Sequence, residues 1–290
     1  MDGSMDEMGE VAFAEGVPCW IDALLPDVEA GKRFYGELFG WTFREGAGPE
    51  YEAFRDGELV AALAPKQDGR MPTVWNVYFA TPDAYALARR IKKAGGQLVI
   101  EPMPIGAFGT MAQAADPEGA VFGLWQAGSL AGFEKKGEPG SFCWTEVYSR
   151  DKALVDPFYE GVFGFGGADL GDPVQDAGGD AEGLDFRTWS PAGAEAGPDT
   201  AIGGRSLVSG TFPAEMPAHF LIYFNVTDCD ATAATAKRLG GRVQAEPFDI
   251  PYESKVAARS ASMRGGGRVT GGRMAVLIDN QGAVFAVLQD

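Results

Sequence analysis

The chain has 290 residues, 46% of them hydrophobic and 22% charged, which is ordinary for a globular protein and long enough for two domains. Its formal net charge of −17 argues against a nucleic-acid partner, because phosphate binding depends on Lys and Arg. No apolar run approaches the roughly 18 residues of a membrane span, and three scattered cysteines provide neither a disulfide framework nor a cysteine-based zinc site. We therefore expect a cytoplasmic protein, monomeric or homodimeric, that binds neither nucleic acid nor membrane.

The first half of the chain reads as two strand–helix units in succession. A strand, "CWIDALL", places Trp20, Asp22 and Leu24 on one face by alternation. The helix "VEAGKRFYGELFGW" follows, with Asp27 as its N-cap and Gly40 marking its end, and three short strands come after it. The strand "VWNVYFAT", a helix ending in a Gly pair and three further strands then repeat the order. Each unit is thus predicted to be a βαβββ module.

The second half of the chain repeats the first. The matched features are Trp20/Trp144 and Asp22/Glu146 at an offset of 124, Tyr78/Tyr223 at 145, and "GAVF" at 119–122 and 282–285 at 163. Because the offset grows in two steps, the second copy is predicted to carry two insertions.

The predicted units are a disordered acidic N-terminus at 1–16, a first domain at 17–126, a Gly-rich linker at 127–140, and a second domain at 141–290 with insertions near 167–200 and 253–271. The second insertion is basic and predicts either a lid or anion-binding loop, or a flexible surface loop.

These motifs together resemble the vicinal oxygen chelate superfamily. The resemblance rests on the polar residue in the first strand, the "FY" helix ending "LFGW", the second helix ending "GG", and the closing "DPEGAVFGLWQ". That superfamily includes glyoxalase I, extradiol dioxygenases and bleomycin-resistance proteins. The tandem layout is similar, more closely, to two-domain actinobacterial glyoxalase-like proteins often labelled "hydroxylase". The resemblance implies an α+β fold of two tandem glyoxalase-like domains, each built from paired βαβββ modules that form a curved mixed sheet, or cup.

The resemblance also implies where a metal would bind. In metal-using members the ligands stand at three inward positions, which fall here on Trp20 and Trp144, on Asn76 and Leu221, and on Gly123 and Ala286. Divalent metals require carboxylate, imidazole or thiolate donors, and of these residues only Asn offers even a weak one. The chain contains a single His, His219. We therefore predict that the usual divalent metal is absent; any other cofactor is unknown.

Three residues are candidates for catalysis and six for ligand binding. The catalytic candidates are Asp22, Glu146 and His219, and the binding candidates are Trp20, Asn76, Tyr78, Trp125, Trp144 and Tyr223. Each has a structural alternative. The carboxylates would be rim groups bonded to Arg or backbone, the His a hydrogen-bonded residue at a strand entrance, and the aromatic residues core packing.

Three functions follow from this set of residues. The first is a metal-independent lyase, isomerase or cyclase acting on an organic metabolite, with proton transfer by Asp22 or Glu146. The second is a ligand-sequestering protein, as in the bleomycin-resistance branch. The third is a metal-dependent glyoxalase or dioxygenase with displaced ligands, such as one of the two carboxylates together with His219.

Overall fold

The computed structural model describes most of the chain. The described residues are 13–46, 48–170, 185–208, 215–250 and 272–289. Most of the predicted acidic N-terminus, the middle of the first predicted insertion and the whole of the basic insertion at 253–271 lie outside them.

The first half forms one mixed sheet with two helices. Its elements are β1 (Pro18–Leu25), α1 (Val28–Phe39), β2 (Thr42–Glu45), β3 (Tyr51–Arg55), β4 (Glu58–Pro65), β5 (Val74–Ala80), α2 (Ala84–Lys93), β6 (Gln97–Ile105), β7 (Gly109–Ala115) and β8 (Val121–Ala127). The strand order is β2-β3-β4-β1-β5-β8-β7-β6. Within each module the first and last strands pair in parallel, and β1 and β5 join the two modules in antiparallel.

The second half repeats this arrangement. Its elements are β9 (Phe142–Ser149), α3 (Lys152–Phe163), β10 (Gly166–Leu170), β11 (Phe186–Ser190), β12 (Gly203–Leu207), β13 (His219–Asn225), α4 (Cys229–Arg238), β14 (Arg242–Asp249), β15 (Arg273–Ile278) and β16 (Val284–Gln289). The sheet order, β10-β11-β12-β9-β13-β16-β15-β14, corresponds strand for strand to the first sheet. The predicted architecture of two tandem domains of paired βαβββ modules is confirmed.

The first helix of each domain begins and ends on local signals that the sequence carries. Asp27 precedes α1 and accepts a hydrogen bond from the Ala30 backbone N–H, as an N-cap does. Gly40 ends α1 with a left-handed φ of 71°, a conformation that glycine adopts without steric cost. The predicted end of the helix at Gly40 is confirmed, because Gly40 turns the chain and Trp41 lies beyond α1. Trp41 is still buried, and its indole N–H donates to the Gly140 carbonyl at 2.7 Å.

The helix-bearing sides of both sheets share one aromatic core. Phe39 of α1 contacts Phe224 of β13, with ring centroids 4.8 Å apart. In the same way Phe163 of α3 contacts Phe79 of β5, at 5.3 Å. The two domains therefore bury apolar surface against each other, and their four site-bearing strands, β1, β5, β9 and β13, are held on one rigid core.

The segment between the domains is ordered and packs on the first sheet. The Phe133 N–H donates to the Cys19 carbonyl at 2.8 Å, and the Phe133 ring lies 5.9 Å from the Trp20 ring. The same ring stacks on Phe142, at the start of β9, at 5.1 Å. The connection thus contacts both domains at the edge of the first candidate site.

None of the helices in the described parts of the chain combines enough length and apolarity to cross a membrane.

Candidate functional site

Each central strand sends its polar residues to the side of the sheet that faces away from the helices. On β1, Ile21 and Ala23 are fully buried in the aromatic core, so Trp20 and Asp22 point the other way. The same alternation on β9 directs Glu146 away from the helices. We call these two sides the first face and the second face. The first face carries Asp22, Asn76 and Tyr78, and the second carries Glu146, Leu221 and Tyr223 at the corresponding positions.

Asp22 is held by two neutral donors on the neighbouring strand. The Asn76 amide donates to Asp22 Oδ1 at 2.7 Å, and the Tyr78 hydroxyl donates to Oδ2 at 2.8 Å. The Gln113 side chain lies within hydrogen-bonding reach of the same hydroxyl. Asp22 is half-buried, and this burial raises the pKa of its carboxyl, while the two donors partly oppose the rise. The carboxylate is therefore fixed in orientation and more basic than an ordinary Asp.

Glu146 occupies the equivalent position but is enclosed. It is 6% exposed; the Trp144 indole N–H donates to Oε1 at 2.9 Å and the Ser206 hydroxyl to Oε2 at 2.7 Å. The Tyr223 hydroxyl also faces it. Burial raises the pKa of Glu146, and these donors oppose the rise. The partners of both carboxylates are thus neutral side chains, and not the Arg or backbone groups that a rim role would involve.

His219 lies at the entrance of β13. It pairs in register with Tyr148 and stacks on that ring with centroids 5.3 Å apart and planes 13° from parallel. Its Nδ1 lies 2.9 Å from the Pro217 carbonyl oxygen. Glu146 is paired with Leu221, two residues further along β13, and among the described residues no hydrogen bond joins the imidazole to the carboxylate.

The predicted aromatic residues separate into two groups. Tyr78 and Tyr223 contact the carboxylates, as does Trp144. Trp20 packs instead on the interdomain segment, and the Trp125 indole N–H donates to the Leu130 carbonyl at 2.8 Å. The two faces are therefore not copies of each other, although the sequence motif that begins them is the same.

Known proteins share both the sequence and the fold. Anthracycline biosynthesis protein DauV of Streptomyces sp. (strain C5) is 37% identical over 295 residues, covering 96% of this chain and 94% of that protein. The putative glyoxylase CFP32 of Mycobacterium tuberculosis (strain CDC 1551 / Oshkosh) is 35% identical over 285 residues, covering 96% of each chain. The model of the Glyoxalase/Bleomycin resistance protein/Dioxygenase superfamily matches residues 20–124. The chain belongs to this superfamily. The resemblance drawn from the sequence motifs is confirmed.

Solved structures extend the likeness to the whole fold. The Mn(II)-bound glyoxalase from Novosphingobium aromaticivorans superposes with a TM-score of 0.60 at 12% identity, covering 96% of this chain and 83% of that one. The 2,2',3-trihydroxybiphenyl 1,2-dioxygenase of Sphingomonas wittichii strain RW1 gives 0.58 at 14% identity, covering 96% of this chain and 91% of that one. At such low identity these neighbours establish the architecture and not the reaction.

The superfamily includes metal-dependent enzymes, but the residues of the first face do not fit a divalent metal. The Tyr78 ring lies directly over Gly123, where an added Cβ would be 2.0 Å from Tyr78 Cδ1. A ligating side chain at position 123 would therefore require Tyr78 to leave its place beside Asp22. Within the described residues, no group of three or more His, Cys, Asp or Glu side chains is arranged to hold a metal ion. The absence of the metal stays a prediction, which metal analysis of the protein would test.

Sequence reasoning missed three residues around the carboxylates. Gln113 is the polar residue among the inward positions of β7, so strand alternation in "TMAQAAD" was a usable signal. Ser206 and Tyr148 reach the Glu146 network from β12 and β9. The contact of Ser206 with Glu146 depends on the parallel pairing of β12 with β9, which no local pattern encodes.

Proposed function

We propose that the protein acts on a small organic metabolite by metal-independent proton transfer at Asp22, as a lyase, isomerase or cyclase. The observation that carries this proposal is a partly buried carboxylate that is bonded to Asn76 and Tyr78 and paired with no cation among the described residues. A fixed carboxylate of raised pKa is a stronger base than an ordinary Asp at neutral pH.

The surroundings of Asp22 suit proton abstraction next to a carbonyl or phenol. A substrate on the first face would give its acidic proton to Asp22, and burial favours the neutral carboxyl that results. Asn76 and Tyr78 keep the carboxylate oriented before and after the transfer, which lowers the entropic cost of the reaction.

The substrate class follows from the relatives and from the apolar lining. Two relatives, 37% and 36% identical, are called anthracycline biosynthesis proteins, which supports an aromatic polyketide as the substrate. Around Tyr78 the first face is apolar, with Trp125 and Met111 packed beside it. Flat aromatic surfaces bind to such a lining through dispersion and area burial.

A ligand-sequestering role is the second candidate function. It is favoured by the second face, where Glu146 is enclosed and the neighbouring position is Leu221, a residue with no acid–base chemistry.

Deuterium exchange separates catalysis from sequestration. An anthracycline-type aromatic polyketide incubated with the protein in D2O would incorporate deuterium at its acidic carbon, followed by NMR. We expect Asp22→Asn to slow exchange by about 10²- to 10⁴-fold, the usual contribution of a positioned base. Glu146→Gln tests whether the second carboxylate shares the role, and it should retain most of the exchange.

Three outcomes would contradict this proposal. Exchange that survives Asp22→Asn in a protein of unchanged thermal stability would remove Asp22 from the chemistry. Stoichiometric Fe, Mn, Ni or Zn whose removal abolishes turnover would replace metal-independent proton transfer with metal catalysis. Binding without any exchange would favour sequestration.

A further inference from the structure

The two faces differ most clearly in what their first tryptophan does. Trp144 is buried, and its indole N–H donates to Glu146 at 2.9 Å. The equivalent residue, Trp20, is only partly buried and packs on Phe133 of the interdomain segment instead. One indole therefore covers the carboxylate of its own face, while the other packs on the interdomain segment and makes no hydrogen bond to Asp22, which is only partly buried.

We propose that the Trp144 side chain occupies, from within the chain, the place that a ligand takes on the first face. The protein then binds one ligand per chain, at Asp22, and that ligand is a planar aromatic molecule with an N–H or O–H group that donates to the Asp22 carboxylate. This inference rests on the proposed function, since it uses the same site, and it adds the stoichiometry and the chemistry of the ligand.

The donor count supports a missing partner at Asp22. A carboxylate has about four acceptor positions. Glu146 is approached by Trp144, Ser206 and Tyr223, whereas in the described residues Asp22 receives only Asn76 and the tyrosine that matches Tyr223. Ser206 is opposite Tyr148 in the second sheet, and the equivalent position in the first sheet, opposite Leu24, is Ala64. The first face therefore also lacks the hydroxyl that Ser206 provides. An aromatic donor from a ligand would restore the third contact.

The shape of the first face agrees with a flat occupant. The neighbours of Asp22 and Tyr78 across the sheet are small, Ala62 and Gly123 respectively. Apolar side chains continue the surface beyond them, and Val121 at the rim is 39% exposed. The second face has equally small residues at these two positions, Gly204 and Ala286, and differs in carrying the buried Leu221 where the first face has Asn76.

The first test removes the Trp144 side chain by mutation and supplies indole as a free molecule in its place. Trp144→Ala opens an aromatic-sized cavity next to Glu146, and preformed apolar cavities bind small aromatic molecules. We expect indole, at about tenfold its Kd, to raise the unfolding temperature of Trp144→Ala by about 3 °C more than that of the wild type. Trp20→Ala is the matched control and should show no such gain, because Trp20 does not fill its face.

If Trp144→Ala fails to fold, Trp144→Leu gives a smaller opening for the same measurement. Equal effects of indole on the Trp144 variant, the Trp20 variant and the wild type would overturn the inference that Trp144 acts as an occupant.

The second test measures the ligand site of the wild-type chain. Titration with 2,6-dihydroxyanthraquinone, followed by tryptophan fluorescence, should give one molecule bound per chain. The 2,6-dimethoxy analogue has the same flat body without the donor and should bind at least tenfold more weakly, as should the dihydroxy compound with Asp22→Asn.

The results distinguish this inference from the proposed function. Two molecules per chain, equal affinity of the two quinones, or no binding of either would overturn the inference even where proton exchange persists. Binding at one site with no proton exchange on any substrate would instead refute the proposed catalysis and leave the inference standing.

Discussion

At the scale of single residues, the two equivalent acidic residues lie in different environments. Asp22 and Glu146 occupy equivalent places on β1 and β9, and burial raises the pKa of both. The extra methylene lets Glu146 reach Trp144 and Ser206, which enclose it. The shorter Asp22 is bonded only to its neighbouring strand and is less buried. The two equivalent carboxylates therefore differ in burial and in the number of their donors.

The raised pKa of Glu146 predicts how stability depends on pH. Between the ordinary pKa of 4.5 and the raised pKa of the folded protein, the native state keeps a proton that the unfolded chain has lost, so this group makes the free energy of unfolding fall as pH rises through that interval. Glu146→Gln removes the ionisation, and the variant should be the more stable protein at pH 7 by roughly 1 kcal/mol, the usual scale of a single substitution. Urea unfolding at pH 4.5 and pH 7 measures this. If the free energies of unfolding of the wild type and Glu146→Gln differ by the same amount at both pH values, the prediction is contradicted.

At the scale of elements, the packing of β5 against β8 holds the site residue Tyr78 in place. The two strands pair in parallel, with Tyr78 beside Gly123. The ring lies over the glycine, and this contact orients the hydroxyl toward Asp22. The second domain has Ala286 at this position beside Tyr223, and there the tyrosine hydroxyl faces Glu146 among other donors.

Gly123→Ala should disrupt the first site through this packing. The new Cβ would meet the Tyr78 ring at 2.0 Å, so the ring must move and its hydrogen bond to Asp22 is lost. We expect a loss of about 1–3 kcal/mol in the free energy of unfolding, and slower deuterium exchange of the substrate. Gly161→Ala is the matched control, since a Cβ there meets nothing within 4 Å and alanine favours the helix. A Gly123→Ala protein as stable and active as the wild type would show that the ring does not depend on the glycine.

At the scale of the whole molecule, two reciprocal hydrogen bonds join the domains across the aromatic core. The Tyr35 hydroxyl of α1 donates to Asp279, at the end of β15, at 2.8 Å. The Tyr159 hydroxyl of α3 donates to Asp116, at the end of β7, at 3.0 Å. Both tyrosines come from the repeated "FY" motif, so the duplication produced a pseudo-symmetric interface. The first face is therefore supported by a scaffold that the second domain completes.

We expect the two domains to unfold as one cooperative unit. Tyr35→Phe and Tyr159→Phe each leave a buried Asp oxygen without its donor, which should cost about 1–3 kcal/mol while the single calorimetric transition is retained. The control, Tyr85→Phe, changes a tyrosine that is 47% exposed and should have little effect. Two separated transitions in the wild type, or stability unaffected by both core substitutions, would contradict a shared core.

The sequence by itself determined the modules, their order and their duplication. Alternating strands, the Asp27 N-cap and the Gly40 terminus are local signals, because backbone conformation and amphipathic periodicity act over a few residues. The same alternation placed Asp22 and Glu146 on the side of each sheet away from the helices.

The tertiary structure alone decided which carboxylate is accessible and what surrounds each one. The similar motifs "CWID" and "CWTE" gave no reason to treat Trp20 and Trp144 differently or to prefer one of the two acids. Strand pairing then brought Asn76 and Tyr78 to Asp22, and Ser206 to Glu146. Side-chain partners, burial and pKa are set by groups far apart in the chain, so they exist only once the strands have paired and the sheets have packed.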